Sequence, residues 1–257
     1  MESLIFDTHA HYDDEAFNED RDDLLNSLLK KNVGRIINAG VDIESSKASQ
    51  ELAQKYDFMY FAAGFHPENL SDVPKDYKDK IAQFLKHPKC VAVGEIGLDY
   101  HYEDNAPREI QKEIFESQVA LSKELDCPII VHDRDSHADV MEILKKYKPK
   151  GVLHCFSGSV EMAAEVLKLG MYIGIGGAVT FKNAKKILNV TKSLPLESIL
   201  LETDAPYMSP VPYRGKRCDS SMILYTAQKI AELKNTDVNS VLKKTYENSN
   251  MCFKING

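Results

Sequence analysis

Eight short apolar runs, each followed by a stretch of helical periodicity, recur along the chain about 30 residues apart. The runs are 4–6, 35–40, 58–64, 90–94, 128–131, 151–153, 171–174 and 199–201. Helices are predicted over 21–31, 45–56, 77–86, 109–125, 139–146, 160–169 and 182–194, with two more over 220–233 and 238–246. In 21–31, Leu24, Leu25, Leu28 and Leu29 share one face; in 109–125, Ile110, Ile114, Leu121 and Leu125 do. Eight strands alternating with helices define a (β/α)8 TIM barrel of the α/β class. No low-complexity linker interrupts it, so residues 1–257 read as one domain.

Composition narrows the setting. No apolar run approaches the ~18 residues of a membrane span, and the opening residues lack a basic-then-apolar signal segment. The five cysteines, Cys90, Cys127, Cys155, Cys218 and Cys252, are scattered, odd in number and form no CxxC. Free thiols in a reducing cytoplasm are therefore expected, in a monomer with no membrane partner. A net charge of −7 opposes broad adhesion to nucleic acid. It leaves room for a local basic cleft, or for metal ions that bind phosphate.

The chemistry concentrates where strands end. Asp7, His9 and His11 fall two residues apart at the end of the first run, and period-2 geometry points them to one side. Two imidazoles there are half of a metal site, or two satisfied core histidines. Other runs decide between these readings: Glu95 follows the fourth, His132 the fifth, His154 the sixth and Asp204 the eighth. Barrel enzymes place their chemistry at these C-terminal strand ends. Six nitrogen and oxygen ligands suffice for two divalent ions if one carboxylate bridges them. Glu95, the carboxylate of a middle strand between the histidine pairs, is the expected bridge.

With these residues in hand, the sequence resembles the TatD-type metal-dependent deoxyribonucleases of the amidohydrolase superfamily. The resemblance rests on Asp7-Thr8-His9-Ala10-His11, Gly64-Phe65-His66-Pro67, Gly94-Glu95-Ile96-Gly97-Leu98-Asp99-Tyr100 and Val131-His132-Asp133-Arg134-Asp135. It continues through His154-Cys155-Phe156-Ser157-Gly158, Glu202-Thr203-Asp204-Ala205-Pro206-Tyr207 and Arg214-Gly215-Lys216-Arg217. It implies two ions, one held by His9, His11 and Asp204, the other by His132 and His154, with Glu95 shared. Related amidohydrolases often bridge with a carbamylated lysine, and Glu95 in its place favours the TatD group. The family usually continues Asn-Glu-Pro after the basic loop; here Cys218-Asp219-Ser220 stands instead, which bears on substrate preference and leaves the ligands intact.

The expected activity is a phosphodiesterase that trims DNA ends or single strands with water activated by two metals. Asp204 would take the water proton, and His66 would approach the scissile phosphate or leaving oxygen, unless it only caps its loop. Hard phosphate oxygens suit Mg²⁺ or Mn²⁺, and imidazoles suit Zn²⁺. Arg134 either pairs a phosphate or braces Asp135 and Asp99. Arg214, Lys216 and Arg217 are the expected phosphate clamp, against the plainer reading of a solvated loop. Gly174-Ile175-Gly176-Gly177 either seats a phosphate or makes a tight turn, and Lys182, Lys185 and Lys186 read as an exposed helix face. His87, His101 and His137 read as solvated. Two rivals remain: a small-molecule amidohydrolase or phosphoesterase, which a deep closed pocket would favour, and a metal-holding interaction protein without turnover.

Overall fold

A computed structural model describes residues 4–255. The strands are β1 (Ile5–Ala10), β2 (Val33–Ala39), β3 (Met59–Ala63), β4 (Cys90–Asp99), β5 (Ile129–Arg134), β6 (Gly151–Leu153), β7 (Tyr172–Ile175) and β8 (Ile199–Leu201). The helices are α1 (Arg21–Leu28), α2 (Ile43–Lys55), α3 (Tyr77–Phe84), α4 (Arg108–Glu124), α5 (His137–Tyr147), α6 (Val160–Lys168), α7 (Lys185–Ser193), α8 (Ile223–Lys234) and α9 (Val238–Cys252). The strands pair in chain order, all parallel. The ring is completed where β8 runs out beside β1: the Asp204 N–H donates to His9 O at 2.9 Å and the His11 N–H to Ala205 O at 2.7 Å. The Thr8 hydroxyl adds a bond to Leu201 O. This is the TIM barrel that the alternation of runs called for.

Two packed regions hold it. Inside, Phe6, Ile37, Ala62, Ala92, Ile130, Val152 and Leu200 meet from seven strands. Phe253 and Ile255, beyond α9, pack on this interior and help line a depression beside the starts of β4 and β5, at the end away from the strand tips. Outside, the opposite strand faces meet the helices through residues such as Ile36, Phe61, Leu144 and Val190. Burying each such side chain contributes on the order of 1.5–3 kcal/mol, so the layers are fixed by hydrophobicity and the tips are left to polar residues. Local signals set the turns between them. At α2, the Asp42 side chain accepts from the Ser45 N–H while the Ser45 hydroxyl accepts from the Asp42 N–H, a reciprocal cap that starts the helix just after β2.

Two strands differ from expectation. β4 does not stop at residue 94 but runs to Asp99, so Glu95 sits within the strand rather than at its end. Its register against β5 slips between Val93 and Ile96, a bulge of the kind that re-aims a side chain. Alternation in β1 is broken too, by a slip between Asp7 and Ala10. Asp7 consequently does not join His9 and His11. Its carboxylate accepts from the His9 and Thr203 N–H groups and from the Thr203 and Ser220 hydroxyls.

Candidate metal centre

Imidazoles and carboxylates converge at the strand tips. His9 Nε2 lies 3.1 Å from Glu95 Oε2 and 3.1 Å from His11 Nε2. Asp204 Oδ1 lies 3.5 Å from His11 Nε2 and 3.7 Å from His9 Nε2. On the other side, Glu95 Oε1 stands 3.1 Å from His132 Nδ1 and 3.6 Å from both His154 Nε2 and His66 Nε2. Glu95 thus turns one oxygen to the β1 histidines and the other to those of β5 and β6. Three sets of ligand atoms lie within 4.8 Å of one another: His9, His11 and Glu95; His66, Glu95 and His132; and His9, His154 and Asp204. All six ligands expected from the sequence are in this one cluster, joined by His66.

Bonds behind the rings fix their tautomers. His11 Nδ1 lies 3.0 Å from the Ala39 carbonyl, which can only accept. Nδ1 therefore keeps a proton, and Nε2 is the nitrogen that faces the cluster. His154 Nδ1 faces Glu202 Oε2 at 3.3 Å, a charge contact without hydrogen-bond geometry, while its Nε2 turns to Glu95. His132 Nε2 lies 3.0 Å from Asp99 Oδ2, so its Nδ1 faces Glu95. His66 is the opposite case. Its Nδ1 accepts from the Glu68 N–H, so the proton sits on Nε2, which points at Glu95. In that tautomer His66 is a donor rather than a ligand.

Charge in the cluster follows the same division. Burial opposes the charged form of His11, yet Asp204 and Glu95 lift its pKa to about 9. Burial likewise opposes protonation of His132, but Asp99 and Glu95 raise it to about 10; Glu202 and Glu95 raise His154 to about 9. Burial lowers His9, helped by His154, and lowers His66 to about 3. Burial works against ionised Glu95, but His9 and His66 hold it well below the usual carboxylate range. Asp204 is held down by its bond to His11 despite burial. The carboxylates stay ionised and call for positive charge among the rings. With imidazole nitrogens and ionised carboxylates packed in three overlapping sets, this donor set fits divalent cations better than a self-satisfied polar core.

Two carboxylates escaped the sequence reading as ring partners, Glu202 and Asp99. Glu202 is buried, and besides facing His154 it accepts the Cys155 N–H at 2.6 Å. It fits only because residue 174 is glycine: a Cβ there would stand 2.4 Å from Glu202 Oε2. Gly174 lies within β7 rather than after it, and that close approach, neither a phosphate seat nor a turn, accounts for it. A metal-binding histidine usually has a carboxylate behind it, and this rule would have singled out both acids.

The expected substrate contacts divide. Arg134 makes no bond to Asp99 or Asp135; its guanidinium lies over the Tyr102 ring, 4.8 Å from the centroid, and donates to the Tyr102 hydroxyl. Arg217 is engaged by Asp20 through two bonds of 2.8 and 2.6 Å and packs on Phe17. Arg214 stacks on Phe181 at 4.0 Å, and the exposed Lys216 ammonium has no carboxylate partner among the described residues. Both line a depression of about 480 Å³ that shares Tyr207 and Met208 with the central cleft of about 660 Å³. His101 and His137 are not simply solvated; they pair with Asp135 and Asp133. Lys182, Lys185 and Lys186 are exposed, as expected.

A barrel that gathers this donor set at its mouth belongs among the hydrolases that work through bound metal. Residues 6–254 match the model of the TatD related DNase family, and the chain belongs to that family. It is 42% identical to the uncharacterized metal-dependent hydrolase YabD of Bacillus subtilis, over 98% of this chain and all of that one. A Citrobacter koseri protein named 3'-5' ssDNA/RNA exonuclease TatD is 34% identical over 80% of each chain. The crystal structure of the TatD homologue YjjV from Escherichia coli K12 superposes with a TM-score of 0.93 at 32% identity, covering both chains fully. The protein is a metal-dependent hydrolase of the TatD family. Among its described residues no helix is long and apolar enough to cross a membrane.

Proposed function

We propose that this hydrolase is a deoxyribonuclease that removes nucleotides from DNA ends or single strands, with two divalent cations at the barrel mouth. The observation that carries the reading is the division of imidazoles between the two oxygens of Glu95. His9, His11 and Asp204 would hold one ion, His132 and His154 the other, and Glu95 both. Such ions supply Lewis acidity toward phosphoryl oxygens and a hydroxide nucleophile near neutral pH.

The chain's own groups do the rest. Asp204 stays ionised beside His11 and takes the proton of the attacking water. Its backbone is left-handed, φ 65°, and its N–H is tied to His9 O, which keeps the carboxylate over the cluster. Neutral His66 offers its Nε2 proton to the phosphoryl or leaving oxygen. Glu202 and Asp99 hold His154 and His132 in the tautomers that ligation needs. Arg214 and Lys216 line the adjoining depression, where the next phosphates of a strand would lie. Mg²⁺ or Mn²⁺ suits the phosphate, and the imidazole-rich ligands also accept Zn²⁺. The test offers purified protein with each metal end-labelled single- and double-stranded DNA beside a panel of small esters and amides. Release of nucleotides from DNA ends supports the reading. Turnover of a small ester or amide with DNA left intact refutes it and favours the small-molecule rival.

A further inference from the structure

Two tyrosines stand exposed at the mouth of an otherwise well-buried barrel. Tyr102 is 43% and Tyr207 56% exposed, and both line the cleft that holds the histidines. Tyr102 follows β4 and Tyr207 follows β8. In a closed ring of eight strands paired in order, β4 and β8 are four strands apart in either direction, so the two rings flank the centre from opposite rims. Each is held in place by its hydroxyl. Tyr102 accepts from Arg134, whose guanidinium also covers its ring, and Tyr207 donates to Asp14 at 2.7 Å. Met208 adds a half-exposed thioether beside Tyr207, at the wall between the central cleft and the Arg214 depression.

Part-exposed aromatic rings fixed in orientation, Tyr102 backed by Arg134 and packed edge-on with His101, with the cluster of candidate metal ligands between them, match the way unpaired nucleic acid is gripped. Bases stack on aromatic rings while the backbone follows positive charge. A base within a duplex has both faces covered by its neighbours and cannot use such platforms. We propose that Tyr102, backed by Arg134, and Tyr207 are base-stacking platforms that hold the unpaired nucleotides on either side of the scissile phosphate. They would set a preference for single strands without reading sequence, since every base offers a π-face. This rests on the nuclease reading above.

The test measures kcat/KM of metal-loaded protein on a short oligothymidylate and on a strand of the same length whose sugars carry no bases. In the wild type the base-bearing strand is preferred. Tyr102→Ala and Tyr207→Ala should each reduce the ratio of the two values by roughly 5- to 150-fold, the range for losing one stacked base. Tyr102→Phe and Tyr207→Phe, which keep the ring, should retain most of it. A merely structural role would lower both values together and leave the ratio alone. An unchanged ratio in both alanine variants, or a wild type indifferent to the bases, overturns the stacking and leaves the nuclease standing. A wild type that cleaves neither strand while turning over a small ester overturns both.

Discussion

His11 shows how a single residue can be set up to bind a metal. Its Nδ1 proton is committed to Ala39 O, so Nε2 is the nitrogen that turns to the cluster and the one a cation would take in place of its proton. His154 has Glu202 behind it instead, whose Oε2 stands 3.3 Å from Nδ1 and has no hydrogen-bond partner of its own. Glu202→Gln keeps the shape but turns the group facing the ring into one that can present a donor or a weaker acceptor. Affinity for the metal should fall by roughly 10- to 100-fold, the usual effect of losing such a partner, with the melting of the metal-free protein little changed. Titration of the chelator-stripped protein with Mn²⁺ or Zn²⁺ checks this, and an unchanged affinity would show that Glu202 does not orient His154. His66 stands apart because it stays neutral with its proton facing inward.

At the scale of elements, β4 carries the difference between what could be read in the sequence and what could not. The barrel was legible because apolar runs and helical faces alternate with little interruption, and His9, His132, His154 and Asp204 were legible because each terminates or follows a run. The apolar run of β4 ends at residue 94, whereas the strand bulges and continues to Asp99, which brings a second carboxylate behind His132. Glu202 was quoted within a motif but its role was hidden, because its partner belongs to another strand. The Arg217 pairing with Asp20 was hidden for the same reason. The loop after β4 is anchored to its surroundings through Asp139 of α5, which accepts from the Tyr100 hydroxyl and pairs with Lys112 of α4. The Tyr100 bond, against some burial, lowers the pKa of Asp139 below its ordinary 3.8. A depressed carboxyl stabilises the fold above its unfolded pKa and loses that contribution as pH falls through the folded value. Asp139→Asn should therefore cost about 1 kcal/mol near neutral pH, and the gap from wild type should narrow below about pH 4. Paired denaturation curves across that range test it; a gap that widens on acidification would contradict the assigned direction.

Taken whole, the molecule has a net charge of −7, yet it places Arg134, Arg214 and Lys216 around the clefts at one end of the barrel. Long-range attraction to DNA is not expected from that balance, so binding should depend on the local cations and on the metals. Arg217 is matched by Asp20 and should contribute little to it. Replacing Arg214 and Lys216 together by alanine should flatten the slope of log affinity against log salt by about 1–2 units, with metal content unchanged. Retention of the full slope would remove the loop from the substrate path.

If Glu95 joins two ions in one hydrolytic centre, with one carboxylate oxygen to each group of imidazoles, its loss must cost both metal and turnover. The direct measurement is metal content per chain, taken with DNA turnover, for the wild type and for Glu95→Gln reconstituted side by side. Two ions are expected in the wild type and fewer than two in the variant, with turnover lowered by at least ~10² and the fold retained. A variant that still binds two ions and works within about tenfold of the wild type, an effect below that range, would contradict it.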